Sequence, residues 1–101
     1  MTTALFIPLN GEHFDAFERG EKHTEYRLYG SRWNERTCQL GRAVTLSRGY
    51  GKRRRLQGVV TSFRVEPFKF GDAALMGCYP KAPKDAKIAC IGVRIADRTH
   101  P

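Results

Sequence analysis

Apolar positions in this chain recur mostly at every second residue, in short blocks, and at helical spacing in two places. Over residues 3 to 9, Leu5, Ile7 and Leu9 alternate with Ala4, Phe6 and Pro8, which predicts a first strand. Pro8 has no N–H for a ladder, so this strand belongs at a sheet edge or ends there. Asn10 then offers a side-chain oxygen to cap a helix over Gly11 to Arg19, with Phe14 and Phe17 one turn apart on the core side. Glu12 and Arg19 match the helix dipole, and Gly20 suits the left-handed position just past the end. His13 is a surface or half-buried helix residue with no assigned role.

Residues 22 to 28 predict a second strand, with Tyr26 and Leu28 on one face and His23, Glu25 and Arg27 on the other. Tyr26 belongs to the core on this pattern. Strict alternation turns Lys22 away from Glu25 unless Lys22 still belongs to the turn after the helix. Ser31 caps a second short helix over Arg32 to Gln39, ended by Gly41. It puts Trp33, Thr37 and Leu40 on one side, with Trp33 as a core anchor.

A third strand covers 43 to 48, with Val44 and Leu46 inward. A long fourth runs from Leu56 to Val65, with Val59, Phe63 and Val65 pointing one way and Gly58 marking a bulge or bend. The glycine-hinged hairpin loop between them is strongly basic. Residues 66 to 86 are irregular, with one helical turn at Asp72 to Met76. A last strand spans 87 to 95, with Ile91, Val93 and Ile95 inward, and the tail from Ala96 frays. Short strands with glycine bends and two short helices predict an α+β domain, a small, mostly antiparallel β-barrel.

Length and charge narrow the function. At 101 residues the chain makes one domain, 1–101. Its net charge of +8 favours an acidic partner such as RNA, another single-stranded nucleic acid or a nucleotide. No stretch is long and apolar enough for a membrane span or a signal peptide, so a cytoplasmic location is expected. Cys38, Cys78 and Cys90 lack Cys-x-x-Cys spacing and read as free thiols in a reducing compartment, small and apolar. The three histidines do not cluster with them, so neither a metal nor a cofactor is expected.

Two constellations carry candidate chemistry. The first is Gly20, Lys22, Glu25 and Arg27, a G-x-K-x-x-E-x-R pattern. Glycine frees the turn so that a backbone amide can approach a ligand. Lys22 is a compact cation for phosphate or a polar carbonyl, and Arg27 a planar fork for phosphate or a base edge. Glu25 beside two cations can accept hydrogen bonds from an amino group or a water. On spacing alone, a surface salt-bridge cluster accounts for these residues equally well. The second is the loop of Arg48, Tyr50, Lys52, Arg53, Arg54 and Arg55, a phosphate-binding patch in which Tyr50 can stack on an exposed base. About four phosphate contacts there would give a log–log salt slope near −3. Tyr29 ends the second strand near the first constellation, where it either stacks on a ligand or packs in the core.

The first pattern resembles the signature of ASCH domains, a branch of the PUA-like superfamily. The run Tyr26-Arg27-Leu28-Tyr29, then Trp33 with Arg36, then Ser47-Arg48-Gly49-Tyr50, is similar to small single-domain ASCH proteins of bacteria and phages. The resemblance covers roughly residues 4 to 65. It implies a β-barrel with helices at its openings and a signature-lined cleft for RNA or a modified base. It also implies two enzymatic alternatives, acetylcytidine amidohydrolase and single-strand ribonuclease. In the amidohydrolases a Lys works with a Thr three residues later and a distant Glu. Lys22 matches that Lys, Glu25 stands at the Thr position, and Asp72 is the nearest substitute for the distant acid. Hydrolysis here would instead use Glu25 as a general base, with Lys22 steadying the oxyanion. A basic partner-binding module without a working pocket is the third alternative.

Overall fold

The computed structural model describes residues 3–68 and 77–96. Strand β1 (Leu5–Leu9) leads into helix α1 (Gly11–Glu18), followed by β2 (Thr24–Leu28), β3 (Ala43–Arg48), β4 (Arg55–Pro67) and β5 (Lys87–Ile95). The strands form one curled sheet, a half-barrel in the order β1-β3-β4-β5-β2, with α1 against it. β1 runs parallel to β3, and the other pairs are antiparallel. β1 and β2 are the edges, which is where a proline-bearing strand such as β1 is tolerated. No ladder joins them among the described residues. Instead the Arg27 Nη2 on β2 donates to the Pro8 carbonyl on β1 at 2.5 Å. A side chain spans the gap that backbone pairing closes in a full barrel.

The main core lies inside the curl. Leu5, Ile7 and Leu9 of β1, Val44 and Leu46 of β3, and Ile91, Val93 and Ile95 of β5 meet Phe14 and Phe17 of the helix there. Trp33 joins them as the expected anchor. Strand β5 is buried on both faces, because Ile88 and Cys90 form a second cluster with Phe68 on the other side of the sheet.

Helix α1 begins and ends as its sequence directs. The Asn10 side chain accepts from the His13 N–H at 3.0 Å. At the other end Gly20 has φ +80°. Its N–H donates to Phe17 O, and the Glu21 N–H donates to Ala16 O, which together make a Schellman cap.

Two elements differ from expectation. Residues 32–39 form bends and turns, not a second helix. The reason is Asn34, a residue whose side chain competes with helical backbone bonds. Its Oδ1 accepts from the N–H groups of Arg36 and Thr37, and its amide donates to the carbonyls of Gly30 and Ser31. Leu40, expected inward on that helix, is therefore 68% exposed. In β4 the irregularity lies between Val60 and Ser62 rather than at Gly58. Before the shift Val60 is the buried valine and Val59 pairs with the exposed Arg94 on the other face; after it Phe63 packs on the core, while Val65, near the end of the strand, is exposed. The expected helical turn at Asp72–Met76 lies outside the described residues.

Candidate functional site

The helix cap sets up the first constellation. The Lys22 N–H also donates to Ala16 O at 3.2 Å, so Lys22 belongs to the turn and the strand starts only at Thr24. This releases Lys22 from strand alternation and puts its Nζ 3.7 Å from Glu25 Oε1. The ammonium lies over the rings of Phe17 and Tyr26, at 5.8 and 5.6 Å from their centroids. Gly20 serves the cap: its amide is spent on the helix end and does not face a ligand.

Glu25 and Arg27 pair in register with Ile91 and Ala89, which belong to the main core, whereas Tyr26 and Leu28 pair with Cys90 and Ile88 of the second cluster. The curl thus turns the charged face of β2 inward. Glu25 is buried, and Tyr26, expected in the core, is 41% exposed. Buried charges must be paired, and these are. Arg27 Nε donates to Glu25 Oε2 at 2.7 Å, and the guanidinium lies 4.9 Å from the Trp33 ring centroid. With Nη2 on Pro8, the Arg27 fork is largely committed within the fold. The remaining Glu25 oxygen, Oε1, accepts no hydrogen bond from a described residue. It faces Lys22, whose ammonium makes this ion pair and the two ring contacts but no hydrogen bond among the described residues.

These groups open into a cleft of about 670 Å³, within the usual range for small-ligand sites. Lys22, Glu25, Tyr26 and Arg27 line it across β2. Pro8, Leu9, Asn10 and His13 contribute from the β1–α1 junction, and Arg64 and Glu66 from the end of β4. The cations Lys22, Arg27 and Arg64 outnumber the two acids. Tyr79 completes the wall, and burial raises its phenol pKa above the usual tyrosine value. Pattern reasoning gave no role to His13, Tyr79 or Cys78. His13 sits one turn after the capping Asn10, at the junction that forms the cleft wall, and that placement was its only signal. Cys78, expected as an apolar filler, is an exposed free thiol at the cleft; Cys38 and Cys90 are buried.

Tyr29 does not line the cleft. Its ring packs on the main core and its hydroxyl donates to Glu35 Oε1 at 2.5 Å, which raises the phenol pKa. Arg36 takes no part in holding Glu25, whose partners are Arg27 and Lys22.

The basic loop is a hairpin connection as expected, but it lies apart from the cleft and none of residues 48–55 lines it. It docks on α1. Arg48 grips Asp15 through two bonds of 3.2 and 3.4 Å, and Arg54 donates to Glu18 at 2.6 Å. At 100° per residue, His13 is roughly half a turn round the helix from the Asp15 and Glu18 side. Arg48 and Arg54 are thus neutralised within the fold. Lys52, Arg53 and Arg55 are exposed and make no ion pair among the described residues, and Tyr50 is 80% exposed.

Among the described residues no helix is long and apolar enough to cross a membrane, and no three His, Cys, Asp or Glu side chains gather as a metal site. Comparison with protein-family models and with curated proteins finds no match to this chain.

Proposed function

We propose that this chain is a nucleotide- or RNA-binding domain of the PUA-like, ASCH type, which holds a base in the cleft across β2. The observation that carries the reading is the Glu25–Lys22 ion pair lining the cleft, whose facing atoms make no hydrogen bond among the described residues. Glu25 Oε1 can accept from an exocyclic amino group, and Lys22 can donate to a base carbonyl or a phosphate. A carboxylate and an ammonium side by side match the donor–acceptor edge of a base better than they match a bare anion. Arg27 acts as the brace that fixes Glu25, and Tyr26 offers an exposed ring beside the pair. The exposed cations Lys52, Arg53 and Arg55 hold the backbone of a longer strand. The sequence pattern from Gly20 to Arg27 adds the family resemblance to this support, and the free thiols suit a cytoplasmic setting.

A hydrolase on a modified nucleoside or on single-stranded RNA is the second reading. Glu25 beside Lys22 favours it, as a base for water and a cation for the oxyanion. The two are separated by titrating nucleoside monophosphates and labelled single-stranded RNA against wild type, Lys22→Ala and Glu25→Gln, then checking strand length and base mass. Binding weakened ten- to a hundredfold by Lys22→Ala, with RNA unchanged, supports the binding domain. A change in length or mass that Glu25→Gln abolishes makes it an enzyme. Binding indifferent to Lys22 defeats both.

A further inference from the structure

The cleft takes Tyr26 and Ile88 from the face of the sheet opposite the helix, but it does not reach the part of that face carried by β1, β3 and the first half of β4. Register places Phe6, Thr45 and Gln57 in one row across β1, β3 and β4. The next row carries Val59 and Arg94 across β4 and β5. All point away from Leu5, Ile7, Val44 and Leu46, which face the core. Among the described residues no helix covers this outer face. Phe6 belongs to neither apolar cluster, and Gln57 and Arg94 are exposed.

The hairpin loop extends this face at one end. The Tyr50 ring lies 6.4 Å from that of Phe6, tilted by 42°, and the Arg55 guanidinium stands 5.3 Å from the Phe6 centroid. The Ser47 hydroxyl donates to the Gly51 carbonyl, and the Arg48 and Arg54 bonds to α1 anchor both ends of the loop. The two committed arginines therefore position an aromatic pair and leave Lys52 and Arg53 outward. The charge is of one sign. From Arg36 to Val65 the chain contains no Asp or Glu, and β1 and β5 contain none either.

We propose that this outer face is a binding surface for single-stranded nucleic acid, separate from the cleft. Bases stack on Tyr50 and Phe6, and phosphates run past Arg55 and Arg94. The open outer face of the curled sheet, with neighbouring aromatic rings and cations, accepts splayed bases, which a duplex keeps inside its stack. Base stacking uses the ring pair and the cations together, whereas an acidic chain needs the cations alone. The inference shares with the proposed function the premise that the ligand is nucleic acid and the use of Arg55 as a phosphate contact; it does not need the cleft to work.

The test uses fluorescence anisotropy with labelled oligouridylate and oligothymidylate of about 12 nucleotides and a duplex of equal length. Variants are Tyr50→Ala and Arg94→Ala, both at exposed positions, with folding checked by circular dichroism. Tyr50→Ala should weaken single-strand binding about tenfold, the scale of one lost base–ring stack. Arg94→Ala should make the log–log salt slope shallower by about 0.7, the share of one phosphate on a single strand. RNA and DNA strands should bind alike, since stacking needs no 2′-hydroxyl. Variants within twofold of wild type, a duplex held as tightly as single strands, or displacement by polyglutamate at equal charge would each overturn the proposal. Nucleoside monophosphate binding that Lys22→Ala weakens and Tyr50→Ala leaves unchanged reports on the cleft, so the two readings fail separately.

Discussion

Arg27 illustrates how one residue can be read two ways. Its spacing from Lys22 and Glu25 marks it as a phosphate ligand, yet its donors reach Glu25 Oε2 and the Pro8 carbonyl, and its plane lies by Trp33. It ties the two sheet edges together and aims Glu25. Lysine keeps the charge but lacks a planar fork able to serve both partners. Arg27→Lys should therefore cost about 2–3 kcal/mol, because it leaves Glu25 and the Pro8 carbonyl short of donors. Urea unfolding followed by Trp33 fluorescence measures this; an unchanged midpoint would deny Arg27 its bracing role. Glu25 gives the complementary lesson. Its burial and its single open oxygen follow from the inward turn of β2, which no local pattern announces.

The elements themselves were largely legible. β3 and β5 have the bounds their alternation predicts, and α1 begins at its Asn cap and closes at its glycine. Two elements were misread for local reasons. Residues 32–39 have helical spacing, but the Asn34 side chain supplies the bonds a helix would have taken from the backbone. β4 was given one parity throughout, and a register shift beyond Val60 breaks it. Gly58 has a different function from the expected bulge. A Cβ there would lie 2.7 Å from the Arg94 carbonyl oxygen, a backbone atom unable to swing aside. Gly58→Ala should cost about 1–3 kcal/mol through overpacking between β4 and β5. Gly30→Ala, with open space around it, should be near neutral. Thermal melts of the two variants make the comparison, and equal melting temperatures would refute it.

At the scale of the whole molecule, α1 stands between the cleft, which His13 lines, and the loop, which Asp15 and Glu18 hold. Hydrogen bonding from Arg48 lowers the Asp15 pKa below its ordinary value. A carboxylate whose pKa is depressed on folding contributes stability in full above its unfolded value, about pH 4, and loses it as pH falls through the folded value. The protein should therefore lose stability on acidification below about pH 4, and Asp15→Asn should flatten that loss. Urea midpoints at pH 7, 4 and 2 for both proteins check this; parallel pH profiles would show that the loop does not lean on Asp15.

The sequence alone determined what depends on neighbours a few residues apart. The strand periods, the Asn10 and Gly20 caps and the basic hairpin loop all follow from short-range spacing. Tertiary structure decided everything that depends on which face meets which. It turned Glu25 inward and Tyr26 outward, spent Arg48 and Arg54 on helix α1, and set Phe6 beside Tyr50 across two separate segments. Alternation defines two faces of a strand but does not say which is buried. Only the curl of the sheet and the position of the helix make that choice, because they determine where the largest apolar area can leave water.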